Sequence, residues 1–306
     1  MDLLLLLEQT LNGLTLGVML FLLAAGLTLI FGVMDVINLA HGSLYMAGAF
    51  ASATVVARTG SFALGVLSGI AVGAMFALLL EVALMRRLYA REHLDQVLAT
   101  FAVILIANET VKIVFGPQPI FARTPVELSD TVEVLPGVPF PAYRLAIIAV
   151  GLIAGLFLWW LIGRTRLGMV IRAGTTHRSL VQALGVNIEV LFALVFAIGG
   201  ALAGLAGAMA GPILAVQVGM GEQILILAFV VVVIGGLGSV RGAFVAALLV
   251  GLTDTLSRAL LPVLIRDLLP PVAADQVAAN LGSVAVYLAM AVVLAFKPRG
   301  LFPAHG

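Results

Sequence analysis

Charged residues interrupt this chain so rarely that long stretches carry none, and those stretches dictate what it can fold into. They run over 9–34, 36–57, 59–80, 96–108, 145–163, 190–221, 223–240, 242–253 and 276–296. A helix that crosses a hydrocarbon core of about 30 Å needs roughly 20 mostly apolar residues, and most of these runs are long enough. The short run 96–108 extends through Asn108, Glu109 and Thr110, and 242–253 extends past Asp254. The run 190–221 is too long for one span. Gly211-Pro212 breaks it, because proline lacks a backbone donor and clashes with the preceding turn. The bilayer interior has no water for unpaired backbone groups, so only helices or closed barrels span it. Barrel strands alternate apolar and polar residues, and Leu227–Ile234 does not alternate. The expected fold is an all-α integral membrane protein. It is a polytopic helical bundle of eight or nine transmembrane helices, nine favoured, in one transmembrane domain over 1–306.

Composition excludes other classes. The chain is 62% hydrophobic and 10% charged, whereas soluble domains run near 45–50% apolar and about 25% charged. Sixteen Lys and Arg against fifteen Asp and Glu leave a net charge of +1. Nucleic-acid binding needs an excess of cations to neutralise phosphates, so no nucleic-acid partner is expected. The absence of cysteine removes disulfides and thiolate metal sites. Met1-Asp2 with five leucines and then Glu8 lacks the basic start and the cleavage site of a signal peptide. Residues 1–10 read instead as an interfacial lead-in to the first span.

The arginines set the topology. Arg86, Arg87 and Arg91 fall in one connection, and Arg164, Arg166, Arg172 and Arg178 in another. Arg241 follows a third break, and Lys297 and Arg299 lie near the end. All ten share one side if nine helices alternate from an outside N-terminus, and the excess of basic residues marks that side as cytoplasmic. Arg58, Lys112, Arg123, Arg144, Arg258 and Arg266 run against this pattern. The longest outer connection, about 116–142, holds Glu127, Asp130, Glu133 and six prolines, and suits an extracytoplasmic partner. No internal repeat of fixed period is visible.

Several chemistries are missing. A phosphate-binding loop needs Gly-Lys-Ser/Thr, and the only lysines, Lys112 and Lys297, do not follow glycine. Gly236-Leu-Gly238-Ser-Val-Arg-Gly242 has the wrong final spacing for a dinucleotide fingerprint and no strand before it. No H-E-x-x-H involves His41, His93, His177 or His305, so no metal site is expected. Ser43 and His41 are two apart and cannot face one another on a helix. Nothing supports an enzyme, a catalytic residue or a cofactor held by this chain.

Polar groups inside the apolar runs remain. Asp35 reads as the N-cap of the second span. Asn38 and His41, three apart, share a helix face that Tyr45 extends, with Ser43 nearby. Such groups either bond across to a neighbouring helix or line a solute path. In the fourth span Asn108, Glu109 and Lys112 cluster, and Glu109–Lys112 has the spacing of an ion pair. Glu81 faces Arg86 or Arg87 at the interface and is given no functional role. Gly199, Ala203, Gly207 and Gly211, beside Gly200, Gly204 and Ala208, form two stripes of small residues that let helices pack closely. Gly235–Gly242 reads as a sharp turn or a hinge.

The connection 164–188 carries the best functional clue. Thr175 or Thr176 can start a short helix, and Gly185 can end it in the left-handed conformation. Asn187 then caps the next span, with Glu189 in its first turn. Leu180, Val181 and Leu184 give the short helix an apolar side suited to docking.

Two segments carry a resemblance. Gly26–Phe50, GLTLIFGVMDVINLAHGSLYMAGAF, resembles the start of LivH-type permeases from ATP-binding-cassette importers of branched-chain amino acids. The segment RTRLGMVIRAGTTHRSLVQALGVN, the glycine stripes, IGGLGSVRGAFVAALLVG and FKPRGLF are similar to the same family. The likeness covers nearly the whole chain. It departs at Gly174–His177, which lacks the amide or acidic residue expected before the loop helix, and at Arg241, where proline is expected.

The resemblance implies a permease domain of a bacterial inner-membrane importer that works by alternating access. ATP is used by cytoplasmic ATP-binding subunits. A second homologous permease and a periplasmic solute-binding protein complete the expected assembly. Docking on the ATPase falls to Arg172, His177, Arg178, Leu180, Ala183 and Gly185. The translocation path falls to Asn38, His41, Ser43, Tyr45, Asn108 and Glu109. Importers of urea or short amides resemble this family closely, and simple-sugar permeases more distantly. An ion-coupled secondary transporter would instead use Asn38, His41 and Glu109 for protons.

Overall fold

The uncharged runs fold as helices in the computed structural model, which describes residues 3–176, 182–183, 185–265 and 270–302. The first half holds α1 (Leu3–Met34), α2 (His41–Thr59) and α3 (Phe62–Leu80). A π turn, Glu81–Met85, continues α3 into α4 (Arg86–Leu88), and α5 (His93–Phe115) follows. The 116–142 connection, expected to be irregular, contains an antiparallel hairpin of β1 (Thr131–Leu135) and β2 (Val138–Pro141). The second half holds α6 (Ala142–Arg164), α7 (Arg166–Thr176), α8 (Ile188–Ala210), α9 (Met220–Gly235), α10 (Val240–Ile265) and α11 (Pro271–Phe296).

Among the described residues seven helices are long and apolar enough to cross a membrane: α1, α3, α5, α6, α8, α10 and α11. The other two uncharged runs form α2, with 19 residues, and α9, with 16; α2 is too polar and α9 too short to join that set. The chain is therefore an all-α, multi-pass membrane protein in which two of the nine runs are shortened. Pro212 ends the long run 190–221 as expected, with α8 stopping at Ala210.

The small-residue stripes set how the helices meet. On α8, Gly199 lies against Gly26 and Ile30 of α1, while Gly200 and Gly204 lie against Gly73 and Gly69 of α3. Gly207 lies against the backbone of Tyr45 on α2. No Cβ fits at these contacts, so α8 is gripped by three helices at backbone distance. Cross-helix contact this close lets dispersion act where the apolar bilayer supplies no hydrophobic drive.

The same packing occurs a second time. Gly13 and Gly17 of α1 lie against Gly251 and Ala247 of α10, as Gly200 and Gly204 of α8 lie against Gly73 and Gly69 of α3. Each set follows one plan. A long helix is followed by a break, a short helix, a left-handed glycine and another long helix. In the first half these are α1, 35–40, α2, Gly60 and α3; in the second they are α8, 211–219, α9, Gly236 and α10. Gly26 of α1 meets Gly199 in the first half of α8, while Asn12, earlier on α1, shares a cavity with Ile213 just past the end of α8, so the two copies run in opposite directions. This inverted repeat was not visible in the sequence, because only the glycine positions and the order of breaks are kept.

The 235–242 glycine cluster is a turn, as expected. Gly236 and Gly238 take positive φ, and Ser239 Oγ accepts from Gly242 N at 3.1 Å to start α10. The tail closes the same turn. Leu301 N donates to Ile234 O at 2.8 Å and Phe302 N to Gly235 O at 3.0 Å. These bonds satisfy two of the carbonyls that every helix C-terminus leaves free.

Candidate functional site

The two short helices begin inside the bundle. His41, the first residue of α2, brings Nε2 to 3.2 Å from Leu23 O of α1. Leu23 lies eleven residues before the end of α1, about 16 Å back along its axis at 1.5 Å per residue. The segment 35–40 is therefore not the start of a helix but a climb back into the protein. Asp35 does not cap α2. It takes a left-handed φ of 56° at the end of α1, and the residue before α2, Ala40, makes no side-chain cap. Asn38 consequently sits in irregular backbone before α2 rather than on the helix one turn below His41.

Irregular backbone is tolerated at membrane depth only where protein satisfies it. Helix α5 does this with two side chains one turn apart. Gln96 Oε1 accepts from Ile37 N at 3.4 Å, and Thr100 Oγ1 accepts from Leu39 N at 3.3 Å. Both side chains are buried. Gln96 also donates to Leu88 O and Arg91 O, which ties the re-entrant segment to the α4–α5 link. The corresponding break in the second half, 211–219, is held by backbone pairing of Val216 with Ile120, at 2.8 and 2.9 Å.

The two breaks bring the N-termini of α2 and α9 together. Gly42 and Gly221 are in backbone contact, and a Cβ on either would strike the carbonyl of the other. Each N-terminus carries a partial positive charge and unpaired amides. Around this junction the expected path residues collect. Asn38 and His41 have no exposed surface, and Ser43 and Tyr45 are buried. Both amide atoms of Asn38, His41 Nδ1 and Tyr45 Oη are buried without a hydrogen-bond partner. So is Thr28 Oγ1 on α1. Buried polar groups are ordinarily satisfied, so a group of orphans on α1, the 35–40 segment and α2 makes this the candidate functional region.

Asn108 of α5 joins this region. Its Nδ2 donates to Oε1 of Glu222, in the first turn of α9. Glu222 had no part in the sequence reading, although Gly219 before it and its place in a first turn are helix-start signals. Glu109 points elsewhere. It is exposed and pairs with Lys112 at 3.2 Å, as its spacing suggested. Among the basic residues that break the charge asymmetry, Lys112, Arg144 and Arg258 meet Glu109, Asn12 and Asp254 respectively.

The 164–188 connection is partly described. Helix α7 runs through Thr176, so the backbone of Thr175 and Thr176 is helical, and the expected start of a later helix lies outside the described residues. Arg172 is exposed on α7, and Ala183 and Gly185 are exposed beyond it. Gly185 has the expected left-handed φ, 85°, with its N–H on Gln182 O at 3.0 Å. His177, Arg178 and Leu180 lie outside the described residues. Asn187 caps α8 as expected, accepting from Glu189 N and Val190 N.

Glu81 proves more than an interfacial partner. It has no exposed surface and stands at the head of the π turn. Both its oxygens accept from Arg86 Nε, at 3.0 and 3.1 Å, and Tyr89 Oη donates at 3.2 Å. Arg86 Nη1 reaches on to Glu189 Oε2 at 3.1 Å. π turns inside α-helices recur at functional sites; this one ties the end of α3 to the helix that leaves the 164–188 connection.

Known proteins resemble this chain in sequence over most of its length. The chain is 28% identical to the High-affinity branched-chain amino acid transport system permease protein LivH of Escherichia coli K12, over 85% of this chain and 89% of that one. It is 28% identical to the corresponding protein BraD of Pseudomonas aeruginosa, over 96% and 95%. It is 29% identical to a probable branched-chain amino acid transport permease protein LivH of Methanocaldococcus jannaschii, over 78% and 76%. No solved structure matches. These relatives are transport permeases, not enzymes. The family model described as branched-chain amino acid transport system, permease component, matches residues 9–295, and the chain belongs to that family.

Proposed function

We propose that this chain is the membrane subunit of an ATP-binding-cassette importer for branched-chain or other hydrophobic amino acids. The path runs past the junction of α2 and α9, with Asn38, His41, Ser43, Tyr45 and Asn108 along it. The observation that carries this reading is the pair of opposed short helices, each broken inside the bundle and joined by backbone at Gly42 and Gly221. Transporters built from inverted repeats bind solute near the bilayer midplane, at such interrupted helices. The buried orphan groups beside the junction are the chemistry a polar solute backbone requires. Glu109, exposed and already paired, stands apart from this set.

Energy enters from outside the chain. Cytoplasmic ATP-binding subunits dock on the 164–188 connection through Arg172, His177, Arg178, Leu180, Ala183 and Gly185. An extracytoplasmic solute-binding protein meets the 116–142 hairpin side, and a second homologous permease completes the path. The chain lies in the bacterial inner membrane with its N-terminus outside and its C-terminus in the cytoplasm. The basic residues of four connections, which share one side if nine runs alternate across the membrane, support that orientation.

The test is purification of the complex in mild detergent, followed by reconstitution. The expected result is a stoichiometric ATP-hydrolysing partner and ATP-dependent uptake of L-leucine. Ala183→Asp should keep the fold and break coupling between hydrolysis and uptake. An inactive homo-oligomer, or uptake driven by an ion gradient alone, would overturn the reading.

A further inference from the structure

We infer that Glu222 and Asn108 together form the acceptor site for the ammonium group of the transported amino acid. The inference rests on the importer reading and names the chemistry of one part of that path. Asn108 Nδ2 donates to Glu222 Oε1, and this bond fixes the amide orientation, since the reverse would set oxygen against oxygen. The amide oxygen of Asn108 is then turned away, buried, and without a donor. The pair therefore offers a ligand an anionic carboxylate beside a buried carbonyl that lacks a donor. A ligand with several N–H donors and positive charge fits such a pair.

Position favours the substrate. Glu222 directly follows Gly221, whose backbone touches Gly42 at the first turn of α2. Along α5, Thr100 meets Leu39 and Phe115 stacks on Phe50, with ring centroids 4.9 Å apart. Asn108, midway between Thr100 and Phe115, stands level with the start of α2. The helix dipole of α9 favours a carboxylate in its first turn, which accounts for Glu222 itself. It leaves the orphan oxygen of Asn108 unexplained, and a substrate ammonium explains both.

The experiment uses the assembled complex in proteoliposomes with radiolabelled L-leucine. Glu222→Gln keeps an oxygen for Asn108 Nδ2 and removes the charge. Assembly should persist while ATP-dependent uptake falls by roughly tenfold or more, the worth of a hydrogen bond to a charged group. Glu222→Asp should recover part of the loss. Uptake by Glu222→Gln within about twofold of the parent would overturn the inference while the importer reading stands. A parent complex with no ATP-dependent L-leucine uptake would overturn both. Should Glu222→Gln fail to assemble, the parent complex can be treated with a membrane-permeant carbodiimide and the Glu222 adduct followed by mass spectrometry. L-Leucine should slow that labelling, and 4-methyl-2-oxopentanoate, with the same skeleton but no ammonium, should not. Equal labelling in all three conditions would overturn the inference.

Discussion

Arg86 joins two helices that are distant in sequence: its Nη1 bonds Glu189 on α8 at 3.1 Å, while its Nε holds Glu81 at the end of α3. The two contacts differ in kind. Glu189 is 71% exposed at its side chain and Glu81 is fully buried. An exposed pair adds little, roughly 0–1 kcal/mol. A carboxylate stranded in a site without solvent costs on the order of 3–5 kcal/mol. Glu189→Ala should therefore leave unfolding in detergent nearly unchanged, whereas Arg86→Ala should destabilise strongly. Replacing Glu81 and Arg86 together by leucines should recover most of that loss. Equal effects of the two single alanine variants would show that Glu81 is wetter than its burial indicates.

Thr100→Val tests the re-entrant segment. The change keeps shape and removes the acceptor of Leu39 N–H, so a buried amide is left unpaired. The expected loss is about 1–3 kcal/mol in unfolding free energy. Thr110→Val is the control on the same helix. Its hydroxyl bonds only to Ile106 O on an exposed face, and a shift within about 0.5 kcal/mol is expected.

Glycine substitutions should split in sign. At Gly207 a side chain would enter the Tyr45 backbone, which cannot yield, so Gly207→Leu should sharply lower the melting temperature. At Gly163, on exposed α6, an added Cβ meets nothing within 4 Å. Gly163→Ala should be neutral or stabilising by up to about 1 kcal/mol, the helix-propensity difference. Similar melting curves for the two variants would remove close packing as the reason for the stripes.

Leu301→Pro should weaken the turn after α9. Proline has no N–H to give to Ile234 O, and no other backbone amide outside α9 among the described residues donates to that carbonyl. Leu301→Met keeps the donor and should behave as the parent. The comparison is read by limited proteolysis at 235–239, where faster cleavage is expected in the proline variant only.

Much of this molecule is legible before any coordinate is known. Every uncharged run became a helix, because length without charge is what a membrane demands and little else in a sequence imitates it. Pro212, Gly185 and Asn187 acted as their backbone chemistry requires. Depth was hidden. Nothing in Asp35–Ala40 distinguishes a helix start from a climb through the bundle, since Asp35 suits a cap and the five residues after it carry no charge in either case. The deciding groups, Gln96 and Thr100, lie some sixty residues away on another helix. Glu81 and Glu222 were passed over for a related reason. A lone acid near a helix end reads as interfacial until its neighbours on other helices are known.

The bonds from Leu301 and Phe302 to Ile234 and Gly235 also fix a moment in the life of the chain. While the protein is being made, α9 and α10 can enter the membrane with that turn still open. The turn acquires its donors only after two further helices have been synthesised and residue 302 has cleared the ribosome. A stretch that emerges later is thus the latch on a joint formed much earlier, and a nascent chain stalled before it would carry α1 to α11 with this seam unsealed.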